Sequence, residues 1–210
     1  MTIKTIKLLA KKILLIIFKF GLRFKVIILP DHYYVPVSNI LELNKDKSWQ
    51  KKSNLEGIEI NLDNQLENIR KIVLPFKEKY KNGELYNEAI KLNAGPGFGV
   101  IEAQALYGVI RHYCPKKIIE IGSGVSTYIM MGAGAKNITC VEPYPSNFLK
   151  KNSNIKLIKE KLQHCDEKIF EDLSHGDLLF IDSTHTLKIA SDVSKIYLDI
   201  MPKLKPGVII

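Results

Sequence analysis

An α/β fold, built as a parallel sheet with helices on both faces, is what this 210-residue sequence predicts. From residue 117 onward, short and continuously apolar segments alternate with helical ones, as in sheets that are buried on both sides. Hydrophobic residues make up 46% and charged residues 25% of the chain, which is ordinary for a protein with a core of its own. Composition therefore excludes wholesale disorder, a collagen-like fibre and a small disulfide scaffold.

We divide the chain into a basic amphipathic helix (1–30), a helical or lid region (31–115) and a ligand-binding α/β domain (116–210). The lid region is predicted to contain an extended connector over 31–36, a helix over Leu62–Tyr80 that Pro75 interrupts, and a helix ending at Tyr113. In the α/β domain we predict strands at 117–121, 138–141, 155–158, 178–181 and 208–210, with helices near 126–135, 146–151, 166–173 and 187–201.

The net charge of +9 is concentrated at the N-terminus, where residues 1–25 hold seven basic side chains and no acidic ones. The remaining 24 basic residues face 22 acidic ones, so the body lacks the basic excess of a nucleic-acid-binding protein. The apolar run over 13–18 is far shorter than the ~20 residues of a membrane span. Two roles stay open for this helix. It packs on the body or a second subunit, the commoner role, or residues 1–25 make peripheral contact with an anionic membrane.

Cysteine usage favours a reducing compartment, since Cys114, Cys140 and Cys165 are widely spaced and form no CxxC pair. We therefore expect a cytoplasmic protein, with a peripheral position at the inner membrane face as the alternative. The sequence leaves the oligomeric state open.

A glycine turn, Gly122-Ser123-Gly124, lies between a predicted strand and a predicted helix, where open α/β sheets bind ligands. The NAD fingerprint would need glycine at position 127, which is Thr127, and this argues against a dinucleotide site. Glu120 precedes the turn and suits a positively charged ligand. Glu142, at the end of the next strand, is placed to accept both hydroxyls of a ribose, although a solvated strand-end carboxylate is the alternative.

The motifs over 120–126, 142–145 and 180–185, taken in order, resemble the class I S-adenosylmethionine-dependent methyltransferases, which have a Rossmann-like fold. The resemblance is greatest to a bacterial group whose fourth strand ends in an Ile-Asp-Ser-Ser-His-like motif, and it covers residues 31 to 210. It implies S-adenosylmethionine as cofactor, with the turn at 161–163 flanking the adenine. The implied cofactor-binding residues are Glu120, Gly122, Ser123, Gly124, Ser126, Glu142, Leu162 and Gln163.

Asp182 and His185 are the catalytic residues that the resemblance implies. Asp182 would orient the acceptor or bind a divalent metal, and His185 would act as general base. The alternatives are that Asp182 caps a helix beginning near Thr186 and that His185 merely supports the site. The segment 182–185 lacks the Pro-Pro-aromatic run of base-modifying amino-methyltransferases.

We therefore expect O-methyl transfer to a small-molecule or glycan-like acceptor, with nucleic acid disfavoured. A non-catalytic membrane-surface or scaffold protein and a nucleotide-linked oxidoreductase remain alternatives. Because the chain ends at 208–210, inside the predicted fifth strand, and family members continue with two further strands, we also expect a truncated version of a longer protein.

Overall fold

A computed structural model describes residues 3–29, 37–38, 40–45, 47, 50–52, 56–57, 59–95 and 97–210, with the backbone alone for 3–8. The chain divides into two compact units, Met1–Ile60 and Asn61–Ile210. The predicted connector over 31–36 lies outside the described residues, as do the side chains of Lys4, Ile6 and Lys7 on the predicted N-terminal helix. The division into three segments stays a prediction.

The first unit contains α1 (Ile3–Arg23) and α2 (Ile40–Lys45). A turn ends α1, in which the N–H of Val26 donates to the carbonyl of Gly21 at 2.9 Å and Lys25 takes a left-handed φ of 59°. The segment predicted as an amphipathic helix over 1–30 is thus helical over Ile3–Arg23, and its amphipathic role stays a prediction. Among the described helices, none combines the length and the apolar character that a membrane crossing needs.

The helical part of the second unit follows the predicted pattern. α3 (Leu62–Asn68) begins at Asn61, whose side chain accepts from the N–H of Asn64 at 2.9 Å. A wide turn over 69–73 and a tight turn over 74–76 separate it from α4 (Lys77–Tyr80), and Pro75 lies in the tight turn. The interruption at Pro75 is thus confirmed. α5 (Glu84–Lys91) and α6 (Val100–Tyr113) follow.

The described residues form a four-stranded sheet of β1 (Ile118–Ile121), β2 (Ile138–Val141), β3 (Ile155–Ile158) and β4 (Leu178–Ile181). The strands are all parallel and lie in the order β3-β2-β1-β4, which confirms the predicted α/β class. The carboxyl ends of the strands meet at one edge. Within the described residues, the predicted fifth strand is represented by one parallel bridge between Leu178 and Ile209.

Helices cover the sheet on both faces, as the apolar strands predicted. On one face the core contains Ile118, Ile138 and Leu178, together with apolar residues of α6 and of α7 (Val125–Gly132). On the other face Ile119, Val141 and Leu179 pack on residues of three further segments. These segments are the turn over 162–165, α9 (Lys168–Glu171) and the wide turn over 196–200, which follows α10 (Asp192–Lys195); α8 (Asn147–Lys151) precedes β3.

The helix predicted near 187–201 begins later, at Asp192, so that prediction is wrong at its start. Ser191 is the N-cap, and its hydroxyl accepts from the N–H of Ser194 at 3.1 Å. Residues 183–191 are a loop that follows β4. The alternative that Asp182 caps this helix is therefore also wrong, because the cap lies nine residues further along the chain.

Candidate functional site

The turn after β1 requires glycine at position 122 for two reasons. Gly122 has a φ of +82°, which side chains rarely tolerate, and a Cβ there would overlap the carbonyl oxygen of Asp182. Its N–H donates to the carbonyl of Val141 at 3.1 Å, and the N–H of Asp182 donates to the carbonyl of Ile121 at 2.9 Å. The ends of β1, β2 and β4 are thereby tied together around a glycine that has no side chain.

A second close approach brings the segment before α6 onto the same turn. A Cβ on Gly124 would lie 3.2 Å from the carbonyl oxygen of Ala94, and a Cβ on Gly95 would lie 3.3 Å from the Cα of Gly124. The backbones of Gly95 and Gly124 therefore lie nearly in contact. Gly95 has no role among the predictions from the sequence.

Glu120 lies behind the glycine turn and is fully buried. The hydroxyls of Ser126 and Thr127 each donate to its carboxylate at 2.5 Å, and the Cys140 thiol donates at 3.4 Å. Burial raises the pKa of Glu120, these hydrogen bonds lower it in part, and the net result is a pKa of about 7. Glu120 thus joins β1 to the start of α7 and lies outside the wall of the cavity. The prediction placed it facing the ligand.

Thr127 is a site-supporting residue whose role the sequence did not reveal. Its hydroxyl accepts from the N–H of Gly124 at 3.1 Å while donating to Glu120, so it closes the first turn of α7. The available signal was an adjacent serine and threonine directly after a glycine turn, beside a carboxylate at the end of the strand.

Glu142 follows β2 and is half-buried, with its carboxylate held by two backbone donors. The N–H of Tyr144 donates to one oxygen at 2.8 Å, and the N–H of Ser123 donates to the other at 3.3 Å. The second contact reaches from the end of β2 to the turn after β1. The carboxylate is thereby fixed in orientation and keeps unused lone pairs for a ligand.

Two cavities meet at this edge of the sheet. The first, of ≈ 440 Å³, contains five of the predicted cofactor-binding residues in its wall: Gly122, Ser123, Gly124, Ser126 and Glu142. The second, of ≈ 460 Å³, contains Leu162 and Gln163. Both cavities share Gly122, Glu142, Tyr144 and Asp182. The structure therefore brings the predicted cofactor residues together around two connected spaces, with Glu120 as the exception.

Polar groups in these walls differ in how far they are already engaged. The hydroxyl oxygen of Ser123 is buried on the side of the Glu120 carboxylate, whose pKa it helps to lower, although no partner among the described residues lies within hydrogen-bond geometry. Gln163 instead donates its amide N–H to the carbonyl of Ala190 at 2.9 Å. Gln163 thus connects the second cavity to the loop that follows β4.

Asp182 and His185 form a pair beside both cavities. Nε2 of His185 lies 2.9 Å from Oδ1 of Asp182; the Asp182 side chain is 33% exposed and that of His185 72%. His185 has a left-handed φ of 55° and also lines a third, mainly apolar cavity of ≈ 760 Å³. Among the described residues, no group of three or more His, Cys, Asp or Glu side chains could hold a metal ion, so the structure does not support the divalent metal that the resemblance allowed.

Asp192 fixes the loop that carries His185, a role that the sequence did not indicate. Its carboxylate accepts from the N–H of Thr184 at 3.0 Å and from the Thr184 hydroxyl at 2.6 Å. Burial by itself would raise the pKa of Asp192, but hydrogen bonds from Thr184 and Val193 outweigh it and lower the pKa. The signal was an acid directly after the N-cap Ser191, at the start of a helix.

Comparisons with known proteins agree with this geometry. A family described as "Methyltransferase domain" matches residues 119–210, which include the glycine turn, Glu142, Asp182 and His185. An uncharacterized protein from Archaeoglobus fulgidus is 32% identical over 164 residues, covering 70% of this chain and 74% of that protein. No solved structure matches. The chain therefore belongs to a family of proteins with a methyltransferase domain, which lies here over residues 119–210 on a Rossmann-like parallel sheet.

Proposed function

We propose that this protein transfers a methyl group from S-adenosylmethionine to an oxygen atom of a small-molecule or glycan-like acceptor. The observation that carries the proposal is the meeting of two cavities at Gly122, Glu142 and Asp182. A cofactor that occupies both spaces would have its middle beside the Asp182–His185 pair. The family supports methyl transfer in general, and the choice of an oxygen acceptor rests on the residues at the end of β4.

The residues present fit this cofactor. Gly122 and Gly124 offer backbone without a side chain to a ligand in the first cavity. Glu142, oriented by two backbone N–H groups, can accept the two hydroxyls of a ribose. Leu162 and Gln163 border the space assigned to the adenine. When bound, S-adenosylmethionine supplies an electrophilic methyl group on a sulfonium.

The acceptor side depends on Asp182 and His185. When Nε2–H of His185 donates to Asp182, Nδ1 is left as the proton acceptor, which suits removal of a proton from a hydroxyl. Asp182 fixes that tautomer and stabilises the imidazolium that forms. No covalent intermediate is needed, because alignment of the acceptor and removal of one proton are the protein's main tasks. The segment 182–185 lacks the run typical of base-modifying enzymes, so nucleic acid stays disfavoured.

A nucleotide-linked oxidoreductase finds less support. Thr127 occupies the position where the NAD fingerprint has its third glycine, and its side chain is fully buried and hydrogen-bonded to Glu120. That glycine serves close packing of the helix on the strand in dinucleotide-binding proteins. Here that position is occupied by the side chain of Thr127, whose hydroxyl accepts a hydrogen bond from the N–H of Gly124 in the turn.

Calorimetric titration of the chain with S-adenosylmethionine, S-adenosylhomocysteine and NAD tests the cofactor assignment. We expect the first two to bind and NAD not to bind. Glu142→Ala should weaken binding of S-adenosylhomocysteine by about 1–3 kcal/mol, the scale of hydrogen bonds to a charged group. Glu171→Ala, at an exposed carboxylate of α9, is the matched control and should bind as wild type does. Binding of NAD alone, or of none of the three, would refute the proposed function.

A further inference from the structure

The N-terminal helix α1 presents an apolar surface that no part of the proposed methyl transfer uses. Its members recur at helical spacing and are between 39% and 66% exposed. We call this set the N-terminal apolar face; it consists of Leu9, Ile13, Ile16, Ile17 and Phe20. A face this apolar is costly to leave in water, so it indicates a partner of some kind.

The turn that ends α1 extends the same surface. Phe24 is 66% exposed, and its ring lies 5.1 Å from that of Phe20. The four residues Val26–Leu29 that follow are also apolar, with exposures from 41% to 66%. The hydrogen bond from Val26 to Gly21 folds this segment back against the end of the helix. Apolar surface is thus presented by the helix and by the segment after it.

The charge around this face identifies the partner. Lys12, Lys19 and Arg23 are exposed and recur at spacings of seven and four on α1, beside the apolar face. Residues 1–25 contain seven bases and no acid, so two copies paired through this face would bring like charges together. An anionic surface neutralises these charges while it accepts the apolar side chains.

We propose that α1 and the segment up to Leu29 bind the surface of an anionic phospholipid bilayer. The helix lies in the plane of the headgroups, the N-terminal apolar face enters the acyl boundary, and Lys12, Lys19 and Arg23 meet the phosphates. The surface occupies residues distinct from those of the methyltransferase domain. Methyl transfer and membrane binding can therefore be measured independently.

Flotation of the full chain with vesicles tests the proposal. We expect binding to phosphatidylcholine vesicles that contain phosphatidylglycerol, weak binding to phosphatidylcholine alone, and loss of binding as sodium chloride is raised. The double variant K12Q/K19Q should reduce partition about 25-fold, at about fivefold per basic residue. Its matched control, K116Q/K150Q, removes two exposed charges from the second unit and should bind as wild type does.

A second pair of variants separates the apolar contribution from the charge. I16E/F20E places acids on the N-terminal apolar face and should abolish flotation with every vesicle. Sedimentation velocity without lipid reports self-association of the same variants. Equal binding to neutral vesicles, salt-independent binding, or no binding would overturn the proposal. Self-association that I16E/F20E abolishes, with no flotation of wild type, would assign the face to a second copy instead.

Discussion

Replacing Glu120 by glutamine removes a buried titratable group and should change how stability depends on pH. In the folded state burial raises the pKa of Glu120 to about 7 from an ordinary value of 4.5. Between these two values the folded protein holds a proton that the unfolded chain has released. The contribution of Glu120 to stability is therefore complete below pH 4.5 and declines until the pH reaches about 7. At about 1.4 kcal/mol per pH unit, Glu120 should lower the free energy of unfolding by about 3 kcal/mol across that window.

Glu120→Gln keeps the shape of the protonated side chain, so the variant should lack this loss. Urea unfolding followed by far-ultraviolet circular dichroism, at several pH values from 4.5 to 8, measures the difference between the two proteins. We expect the variant to gain about 3 kcal/mol relative to wild type over the interval. Thr127→Val should move the loss to higher pH, because it removes a hydrogen bond that lowers the pKa of Glu120. A difference between wild type and Glu120→Gln that is constant with pH would show that Glu120 titrates normally, and the account of its burial would be wrong.

Four further substitutions test the site. Gly122→Ala should destabilise the fold by at least about 1–2 kcal/mol, the cost of a left-handed backbone conformation in a residue with a Cβ, and should abolish binding of S-adenosylhomocysteine. An unchanged melting temperature would contradict the overlap between this Cβ and Asp182. Asp182→Asn and His185→Gln should lower methyl transfer to hydroxyl acceptors about 10²–10⁴-fold at unchanged cofactor Kd, and rates within a few fold of wild type would remove both from catalysis. Asp192→Asn should destabilise the protein above pH 3.8, and this effect should disappear as the pH falls, because hydrogen bonds lower the pKa of Asp192 in the folded state. Denaturation midpoints at several pH values measure this trend. A destabilisation that does not change with pH would show that the Asp192 carboxylate does not hold Thr184.

The strands were predictable because β1, β2 and β4 are largely buried on both faces and therefore read as mostly apolar runs, and because the edge strand β3 is apolar apart from the exposed Lys156. The start of α10 was not predicted correctly, because Leu187 and Ile189 are spaced like the apolar positions of a helix. In the structure these two side chains are 73% and 99% exposed, and the capping signal of Ser191 decides where the helix begins. Local capping chemistry outweighs apolar spacing at this point.

The candidate site was predictable where backbone conformation determines it and less so where side chains of distant elements meet. Gly122 and Glu142 stand out in the sequence because a strand ends beside each of them. Glu120 has the same local signal, yet it faces away from the cavities because Ser126, Thr127 and Cys140 enclose its carboxylate. Whether a carboxylate at the end of a strand faces a ligand or the interior depends on the helix packed behind it, which the local sequence does not reveal.

The near contact between Gly95 and Gly124 has a consequence for inhibition. The backbone at 94–95 and the backbone of the glycine turn both line the first cavity, where they form adjoining walls. A methyl group placed on Gly95 or on Gly124 would push these walls apart or project into the space between them, much as an internal competitive inhibitor would. One added carbon atom at either position is therefore expected to block the proposed cofactor site while leaving every ionisable group in place.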